Sequence, residues 1–567
     1  MSKDNIEAHL LSPNYSESPQ LQKKNEHNVF TRLCYIVVGL LLLILFVENF
    51  IFSQNLGLLG FREIDDVAFQ AVIRKVHLLI FNGEYSQLFA INDYAYGWIY
   101  WMPMALITYP LYLLSMYSHI DWPLIVVPRQ ISLVFAILSL VFLRKILRKI
   151  DVPEWGCAAA ILIFTLFPTL GFFSLRFGTV NAVMFFSLLS FYLVQKYDPS
   201  TSKSRLLVFL ALAVAGGIKL SGLLIAPLIL MMMLVRLNTK SIFQIIWKMI
   251  LPSLVFISTL LIFTNPALVT FPFNANVGID YWHILQHYIE VTKIQLGSSN
   301  PFERFYSGVF GTSANALAIL ILSLGFLIHW TQNKKARFEI TAIWLTMVLI
   351  SSYLILSVNN MYGAGAYFTA VSFLIVLGVV GWVHTRIGFR VLMMVIILLI
   401  VNTIIRMQYQ YVLVGTDVVP WNLFGYFIKY EKSKSAVDNA KYINQCTNVA
   451  SNKEWSGQLF VDHTMPLLIN TLSHPNSCVS IAWDNLSPKG KYCGRPVDFI
   501  ILDKSSKGAL PQVDFAKILL DTDPKLRDSL LDDRASRIAL NKTGLFDNQS
   551  FGLICQNSRV QIFKAIH

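Results

Sequence analysis

Three carboxylates that could carry out acid–base chemistry lie close together early in the chain, at Glu63, Asp65 and Asp66. Adjacent carboxylates can divide labour, because one can act as a general base while the other orients it or binds a divalent cation. The residues that follow, DVAFQAVIRKVHLLI, have the apolar spacing of an amphipathic helix. We therefore predict a helix on the bilayer surface with the acid pair at its N-terminus. The sequence leaves open whether the pair is catalytic or only caps that helix.

A second set of candidates is cationic. Lys219 lies in GGIKLSG, in the middle of an apolar run, 205–235, that would be about 46 Å long as one helix. Since the hydrocarbon core of a bilayer is about 30 Å thick, we predict a hairpin with Lys219 at its apex. There Lys219 either has a functional role, as ionisable residues within membranes often do, or extends to the membrane surface. The other cationic candidates are Arg176, Lys293 and Arg304, and the alternative for Arg304 is a solvated loop charge.

A histidine pair in DYWHILQHY has the spacing of metal ligands but lacks their context. His283 and His287 are four residues apart, and Asp280 would share their face of a helix. The glutamate of an HExxH motif is missing, so the sequence favours an interfacial helix over a metal site. Tyr281, Trp282 and Tyr288 fit that prediction, because their rings favour the level of lipid headgroups.

The elements that must position these residues are apolar. The chain has 567 residues, of which 55% are hydrophobic and 14% charged, whereas soluble domains carry about 25% charged residues. A secreted soluble enzyme, a nucleic-acid binder and a disordered scaffold are therefore excluded. We predict a polytopic all-α membrane domain of about 10–13 transmembrane helices. Besides the hairpin and the proline-bearing segment 98–117, the apolar segments are 33–52, 124–143, 156–174, 179–196, 242–263, 309–329, 339–357, 364–384 and 391–413.

The net charge of +13 indicates topology and no nucleic-acid partner. Its lysines and arginines flank the apolar segments, as in RKILRK at 144–149, and cytoplasmic loops keep such cations. This pattern places the polar N-terminal residues 1–30 inside and the loops 53–97 and 264–308 of the membrane domain, 31–413, outside. Segment 98–117 is then expected to be tilted, shallow or re-entrant, because only one net crossing fits between residues 97 and 144.

The last part of the chain, 422–567, has the composition of a soluble domain, and the charge pattern predicts that it lies outside the cytoplasm. Helical and strand-like runs alternate in it, among them QLFVDH, CVSIAW, VDFIILD and VQIFKAI, which predicts a small α/β domain. Outside the cytoplasm, its four cysteines would form two disulfides in one of three connectivities, and in the cytoplasm they would be free thiols. These four are Cys446, Cys478, Cys493 and Cys555, whereas Cys34 and Cys157 are predicted to be buried thiols.

The order of several sequence features over about 33–410 resembles that of the GT-C superfamily of membrane glycosyltransferases. An acidic pair after the first span is followed by NGEYS, YAYGWIYWMP, VPRQISLVFAILSLVFLRKIL, SLRFGTVNAVMFFSLLSFYLV and GGIKLSGLLIAPLIL. The superfamily uses polyprenyl-phosphate sugars and includes the protein O-mannosyltransferases and the aminoarabinose transferase of lipid A. The resemblance implies that Asp65 is the essential acid that faces the reacting hydroxyl, with Asp66 second.

The chain departs from the superfamily at two positions. Many relatives carry an Asp where this chain has Asn181, so no acid is available there. Many also carry an Arg-Tyr pair where this chain has GAGAYFTAV, without an arginine. The resemblance therefore implies that the cation that binds the donor phosphate is Lys219, Arg304, Arg176 or Lys293.

The expected activity is transfer of a sugar, with inversion, from a polyprenyl-phosphate donor to an acceptor hydroxyl at the outer face of a bacterial inner membrane. Glu63 and Tyr96 are predicted to contact the substrate. The acceptor is a glycolipid such as lipopolysaccharide, a polysaccharide or a protein, and no cofactor is expected unless a divalent cation binds Asp65 or Asp66. Two alternatives stay open: a secondary transporter of a polar solute, and an inactive scaffold with the same fold.

Overall fold

The computed structural model describes residues 19–56, 64–89, 97–118, 122–167, 178–237, 241–270, 313–332 and 364–413, the separate positions 282–283, 286, 341 and 348, and in the C-terminal part the strands with a few neighbouring residues. The apolar part consists of packed α-helices. Its α-helices are α1 (Pro19–Leu56), α2 (Ile64–Phe81), α3 (Trp98–Ser118), α4 (Trp122–Lys149), α5 (Glu154–Leu166), α6 (Val180–Lys196), α7 (Ser202–Ile218), α8 (Ala226–Arg236), α9 (Ile242–Thr264), α10 (Ser313–Gln332), α11 (Ala364–Val383) and α12 (Gly388–Leu413).

Four of the described helices are long and apolar enough to cross a membrane, at Glu26–Val47, Pro123–Lys149, Phe243–Thr264 and Ser313–Thr331. The prediction of a polytopic membrane domain is therefore confirmed, since shorter apolar helices accompany them. Segment 98–117 forms one helix, α3, through both of its prolines. The predicted span 339–357 lies almost wholly outside the described residues.

Helix α5 lies at the centre of the bundle. Every residue from Gly156 to Leu166 is buried, and the run Ala158–Ala160 lets neighbouring helices approach closely. Its N-terminus meets two other helix ends, because the His27 ring of α1 lies 5.1 Å from that of Trp155 and 4.9 Å from that of Phe389 in α12.

A polar cluster marks the same end of the bundle, which we call the Arg144 end. The Tyr35 hydroxyl donates to Glu154 Oε1 at 2.6 Å, and Arg144 Nε donates to the same oxygen at 2.8 Å. Thus the start of α1, the loop after α4 and the turn before α12 lie at one end. The distribution of lysine and arginine predicts this grouping.

The run 205–235 is a hairpin, as predicted. Helix α7 ends at Ile218, a 3₁₀ helix occupies Leu220–Ile225, and α8 returns to Arg236. Arg236 Nη1 donates to the carbonyl of Val194 near the end of α6, which connects to the start of α7. The start of α7 and the end of α8 therefore lie near the same side of the bundle. We call the opposite side, where the apex lies, the Lys219 end.

Helices α10 and α11 run in the same direction with their backbones in contact. A Cβ built on Gly378 would lie 2.6 Å from the Leu322 carbonyl oxygen, and one built on Gly381 would lie 1.6 Å from that of Gly325. A substituted residue cannot be accommodated at either position without separating the helices. Parallel α10 and α11 are what a single span between them, the predicted 339–357, requires.

The C-terminal part contains one six-stranded mixed sheet in the order β2-β1-β3-β6-β5-β4. Strand β1 is parallel to β2 and β3, and the remaining pairs are antiparallel. The four strand-like runs of the sequence form β1, β2, β3 and β6, whereas β4 and β5 were not predicted. The strands are β1 (Gln458–Asp462), β2 (Cys478–Ala482), β3 (Val497–Asp503), β4 (Leu545–Phe546), β5 (Gln549–Gln556) and β6 (Val560–Ile566).

One disulfide joins Cys446 to Cys555 of β5, with the Cα atoms 6.2 Å apart. This selects one pairing of the four tail cysteines, and Cys493 lies outside the described residues. Nearby, the Tyr442 hydroxyl donates to the Gln556 carbonyl at 2.8 Å, so the chain around Cys446 is held against β5 at two points. Cys34 and Cys157 are buried free thiols, as predicted.

Candidate active site

The acid pair lies at the start of helix α2, as the sequence predicts. Asp65 and Asp66 follow Ile64, the first residue of that helix. Carboxylates are favoured at this position because the helix dipole leaves partial positive charge at the N-terminus. Helix α2 is thus a rigid support for the acids. Its position in the molecule depends on how its other turns are packed.

The apolar face of α2 packs on helix α3. Val72, Ile73, Val76 and Leu79 are buried, at the spacing of a single helix face. They belong to one apolar cluster with residues of three other helices. Helix α2, which the sequence predicts to lie on the bilayer surface, therefore packs into the protein core along this face. The partners in this cluster include Tyr100, Trp101, Met104, Ala182, Val183 and Ile218.

A buried histidine fixes α2 against α3. His77 Nε2 lies 2.9 Å from the Ala105 carbonyl oxygen and 3.0 Å from Thr108 Oγ1. Thr108 uses its own hydroxyl proton for the Met104 carbonyl, at 2.8 Å, so its oxygen accepts from the histidine. His77 therefore carries its proton on Nε2 and donates to both oxygens. These bonds set the register of the acid-bearing helix on α3.

The start of α3 is attached to the hairpin apex. The Gly97 backbone N–H donates to the Gly217 carbonyl at 2.9 Å, and the Gly97 carbonyl accepts from Tyr100 and Trp101. Gly97 has φ +95°, and a Cβ there would lie 2.5 Å from Trp101 Nε1 and 3.3 Å from the Ile218 carbonyl. Only glycine satisfies both the backbone angle and this close approach.

The apex itself is a tight reversal around Lys219. This residue is extended (φ −157°, ψ 131°), and its carbonyl accepts from the Gly222 N–H at 2.8 Å. A Cβ on Gly222 would lie 2.4 Å from the Ala215 carbonyl oxygen, so the 3₁₀ helix folds back directly on the end of α7. Lys219 is partly exposed at this point. The predicted place of Lys219 is confirmed.

Two buried polar atoms near the apex have no hydrogen-bond partner among the described residues. They are Ser221 Oγ, two residues after Lys219, and Trp98 Nε1, next to Gly97. A buried polar group that lacks a partner costs about 1–3 kcal/mol, so such groups call for an explanation. A hydroxyl and an indole N–H can both donate to an anion. Lys219 precedes Ser221 by two residues in the chain, so the apex carries an ammonium group as well as these two donors.

Helices α4 and α6 meet α3 beside this apex. The Tyr100 hydroxyl donates to the Gly178 carbonyl at 2.8 Å, and Ser132 Oγ donates to the same oxygen at 3.2 Å. Asn181 Nδ2 donates to the Ser132 carbonyl at 3.2 Å, so Asn181 joins two helices in this chain. One turn before Ser132, Arg129 is fully buried. A buried arginine in a membrane domain marks a functional region.

The structure brings together only part of the predicted set. Asp65 and Asp66 lie on α2 and Lys219 at the apex, and α3 connects the two elements. His283 is exposed in a helical turn, and the described residues contain no group of three metal-ligating side chains. Outside the described residues lie Glu63, Tyr96, Arg176, Asp280, His287, Lys293 and Arg304.

Arg129, Ser221 and Trp98 were not predicted as site residues. The sequence does offer a signal for Arg129, which is a lone cation within the apolar segment 124–143. A serine and a tryptophan in apolar segments give no such signal, because both are common there. Their unsatisfied polar atoms become visible only in the folded chain.

No protein-family model matches the chain, and no curated protein matches it by sequence. Among solved structures, the fold is similar to the crystal structure of ArnT from Cupriavidus metallidurans bound to undecaprenyl phosphate. The match covers 94% of this chain and 98% of that chain, with a TM-score of 0.55 and 11% sequence identity. ArnT is a lipid A aminoarabinose transferase of GT-C type. The predicted fold, GT-C-like with a C-terminal sheet domain, is therefore confirmed.

Proposed function

We propose that this GT-C-fold chain is a membrane glycosyltransferase that moves a sugar from a polyprenyl-phosphate donor to an acceptor hydroxyl, with inversion. The observation that carries the proposal is the position of Lys219 at the hairpin apex, next to the start of α3, on which the acid-bearing α2 packs. The fold neighbour ArnT is bound to undecaprenyl phosphate, which supports a lipid-linked donor.

In this proposal the apex binds the donor phosphate. Lys219 supplies the positive charge, while Ser221 Oγ and Trp98 Nε1 donate hydrogen bonds to phosphate oxygens. As the bond from the anomeric carbon to the phosphate oxygen breaks, negative charge grows on the leaving group. Preorganised donors in a site with little water stabilise that charge without rearranging. Arg176 and Arg304 are proposed to add positive charge around the same group.

Asp65 is proposed as the general base. Its carboxylate takes the proton of the acceptor hydroxyl while the acceptor oxygen bonds to the anomeric carbon, opposite the departing phosphate. Polyprenyl phosphate leaves as the anion, and the configuration of the sugar inverts. Asp66 is proposed to orient the acceptor or the base, and Glu63 and Tyr96 to contact the substrate. A divalent cation at Asp65 or Asp66 would assist without changing these roles.

The Lys219 end is proposed to face the outside of a bacterial inner membrane, with the C-terminal domain on the same side. The Cys446–Cys555 disulfide supports this, because disulfides persist in oxidising compartments. The grouping of basic segments at the Arg144 end supports a cytoplasmic location for that end.

The test is transfer from a radiolabelled polyprenyl-phosphate sugar to a cell-envelope extract by the purified chain in detergent. We expect labelled product and release of polyprenyl phosphate. Solute uptake into vesicles in the absence of any transfer would instead indicate a transporter. If neither is detected, while added polyprenyl phosphate still binds, the chain is an inactive member of the fold.

A further inference from the structure

The Arg144 end carries two lysines that share one aromatic ring. Lys145 Nζ of α4 lies 5.8 Å from the centroid of Tyr192, and Lys196 Nζ of α6 also lies 5.8 Å from it. By the triangle inequality, the two ammonium groups are at most about 12 Å apart, the sum of these two distances. This arrangement places two positive charges beside one ring at the Arg144 end of the helical bundle.

Each ammonium group is also held over a second ring. Lys145 Nζ lies 4.8 Å from the centroid of Phe142, and Lys196 Nζ lies 5.1 Å from that of Tyr197. Phe142 and Tyr192 contact each other edge to face with centroids 5.3 Å apart. The rings attract the cations through their negative faces but carry no net charge. The two lysines are therefore positioned by rings that do not neutralise their charge.

The neighbouring cations have different partners. Arg144 and Arg148 both reach Glu154, at 2.8 and 3.9 Å. Arg236 donates to the Val194 carbonyl. In the part of the chain that the structure describes, neither Lys145 nor Lys196 has an ion pair with a carboxylate.

The carboxylate next along the chain from Lys196 is engaged locally. Asp198 accepts from the hydroxyl and the backbone N–H of Ser200, and these bonds hold the pKa of the Asp198 carboxyl below its ordinary value. Asp198 is thus committed to the turn before α7.

We infer that Lys145 and Lys196, which share the Tyr192 ring, bind the phosphate of an anionic glycerophospholipid headgroup at the Arg144 end. A headgroup phosphate supplies the missing negative charge, and the acyl chains lie along the exposed apolar faces of the bundle, where Val141 of α4 is one such residue. Clusters of basic residues at the cytoplasmic surface attract anionic lipids in this way. This site is at the end opposite the Lys219 apex and does not depend on the proposed reaction.

The experiment uses the full chain in neutral detergent and counts bound lipids by native mass spectrometry. The probes are phosphatidylglycerol, phosphatidylcholine and undecaprenyl phosphate. We expect phosphatidylglycerol to be retained over phosphatidylcholine. The double variant K145Q/K196Q should lower phosphatidylglycerol affinity roughly tenfold, while K149Q/K203Q, which removes two exposed lysines that contact no described ring, should change it much less.

A charge-keeping variant protects the test against a folding defect. K145R/K196R should retain phosphatidylglycerol, and all variants should unfold at nearly the same temperature in lipid-free detergent. The inference is overturned if K149Q/K203Q loses as much binding as K145Q/K196Q, or if neither pair changes it. It is also overturned if K145Q/K196Q loses undecaprenyl phosphate alone, since the site would then belong to the polyprenyl carrier.

Discussion

Gly97 and Gly217 are joined backbone to backbone, with 2.9 Å between the amide nitrogen of one and the carbonyl oxygen of the other. This bond ties the start of α3 to the end of α7, where Lys219 follows. Helix α3 in turn holds α2 through His77 and the apolar face around Val76. The distance between the candidate base on α2 and the candidate phosphate site at the apex is therefore set by the packing of α2, α3 and α7.

Gly97→Ala should uncouple these elements. Alanine at this position would have to adopt φ +95°, and its Cβ would clash with Trp101 Nε1. We therefore expect a stability loss of about 1–3 kcal/mol and a large loss of transfer. Gly83→Ala is the matched control, because Gly83 has φ +73° with nothing within 4 Å of its Cβ. Thermal unfolding and transfer rates of both variants check this. Equal loss of transfer in the two would mean that backbone strain alone is responsible.

Asp65→Asn separates catalysis from helix capping. Asparagine caps a helix about as well as aspartate, but it cannot accept the proton of the acceptor hydroxyl. If Asp65 is the general base, transfer should fall by about 10²–10⁴-fold with normal expression. Asp66→Asn should cost less. A purified Asp65→Asn protein that retains more than about a tenth of the wild-type rate would remove this role from Asp65.

Lys219→Met should weaken binding of the donor and of polyprenyl phosphate. A hydrogen bond to a charged group contributes about 1.5–3 kcal/mol, which corresponds to roughly ten- to a hundredfold in affinity. The control is Lys203→Met, since Lys203 is exposed at the Arg144 end. Isothermal titration with undecaprenyl phosphate measures the difference. Unchanged affinity in the Lys219 variant would show that this lysine extends to solvent.

Ser221→Ala tests whether the unsatisfied hydroxyl binds the phosphate. Removing a buried hydroxyl that has no partner should leave stability unchanged or raise it, because the cost of burying the group disappears. Donor affinity should nevertheless fall several-fold. Trp98→Phe, which removes the indole N–H together with part of the ring system, should also lower donor affinity. Unfolding temperature together with donor KM distinguishes the outcomes, and a stabilised variant with unaltered KM would exclude Ser221 from the site.

Cys446→Ser should open the disulfide and destabilise the tail. The bridge closes a loop with a sequence separation of 109 residues, for which the chain-entropy treatment gives roughly 4–5 kcal/mol. Comparison of limited proteolysis with and without reductant measures the effect. Wild-type protein that runs identically on reducing and non-reducing gels would indicate free thiols and argue for a reducing compartment.

Much of the architecture can be predicted from the sequence, because the length of an apolar run or the spacing of apolar residues is enough to determine an element. The run 205–235 is too long for one span, so its reversal at Lys219 could be predicted from geometry alone. The spacing of Val72, Ile73, Val76 and Leu79 likewise predicts α2. These are local properties that any correct fold must respect.

The remaining features depend on contacts between distant segments. Ser221, whose hydroxyl has no partner among the described residues, lies where Gly222 folds back on Ala215. Strands β4 and β5 were missed for a related reason. The run QSFGLICQ has few β-branched residues, and it becomes a strand by pairing with β6, whose own pattern is strong.

The backbone contact between Gly325 and Gly381 leaves no gap between α10 and α11 at this level. A hydrocarbon tail does not fit where one helix backbone touches the other. In the proposed reaction, the polyprenyl chain of the donor would therefore reach the site between other helices of the bundle. The substitution Gly381→Ala would push α10 and α11 apart and disrupt their packing, but it would not create an opening for a lipid chain.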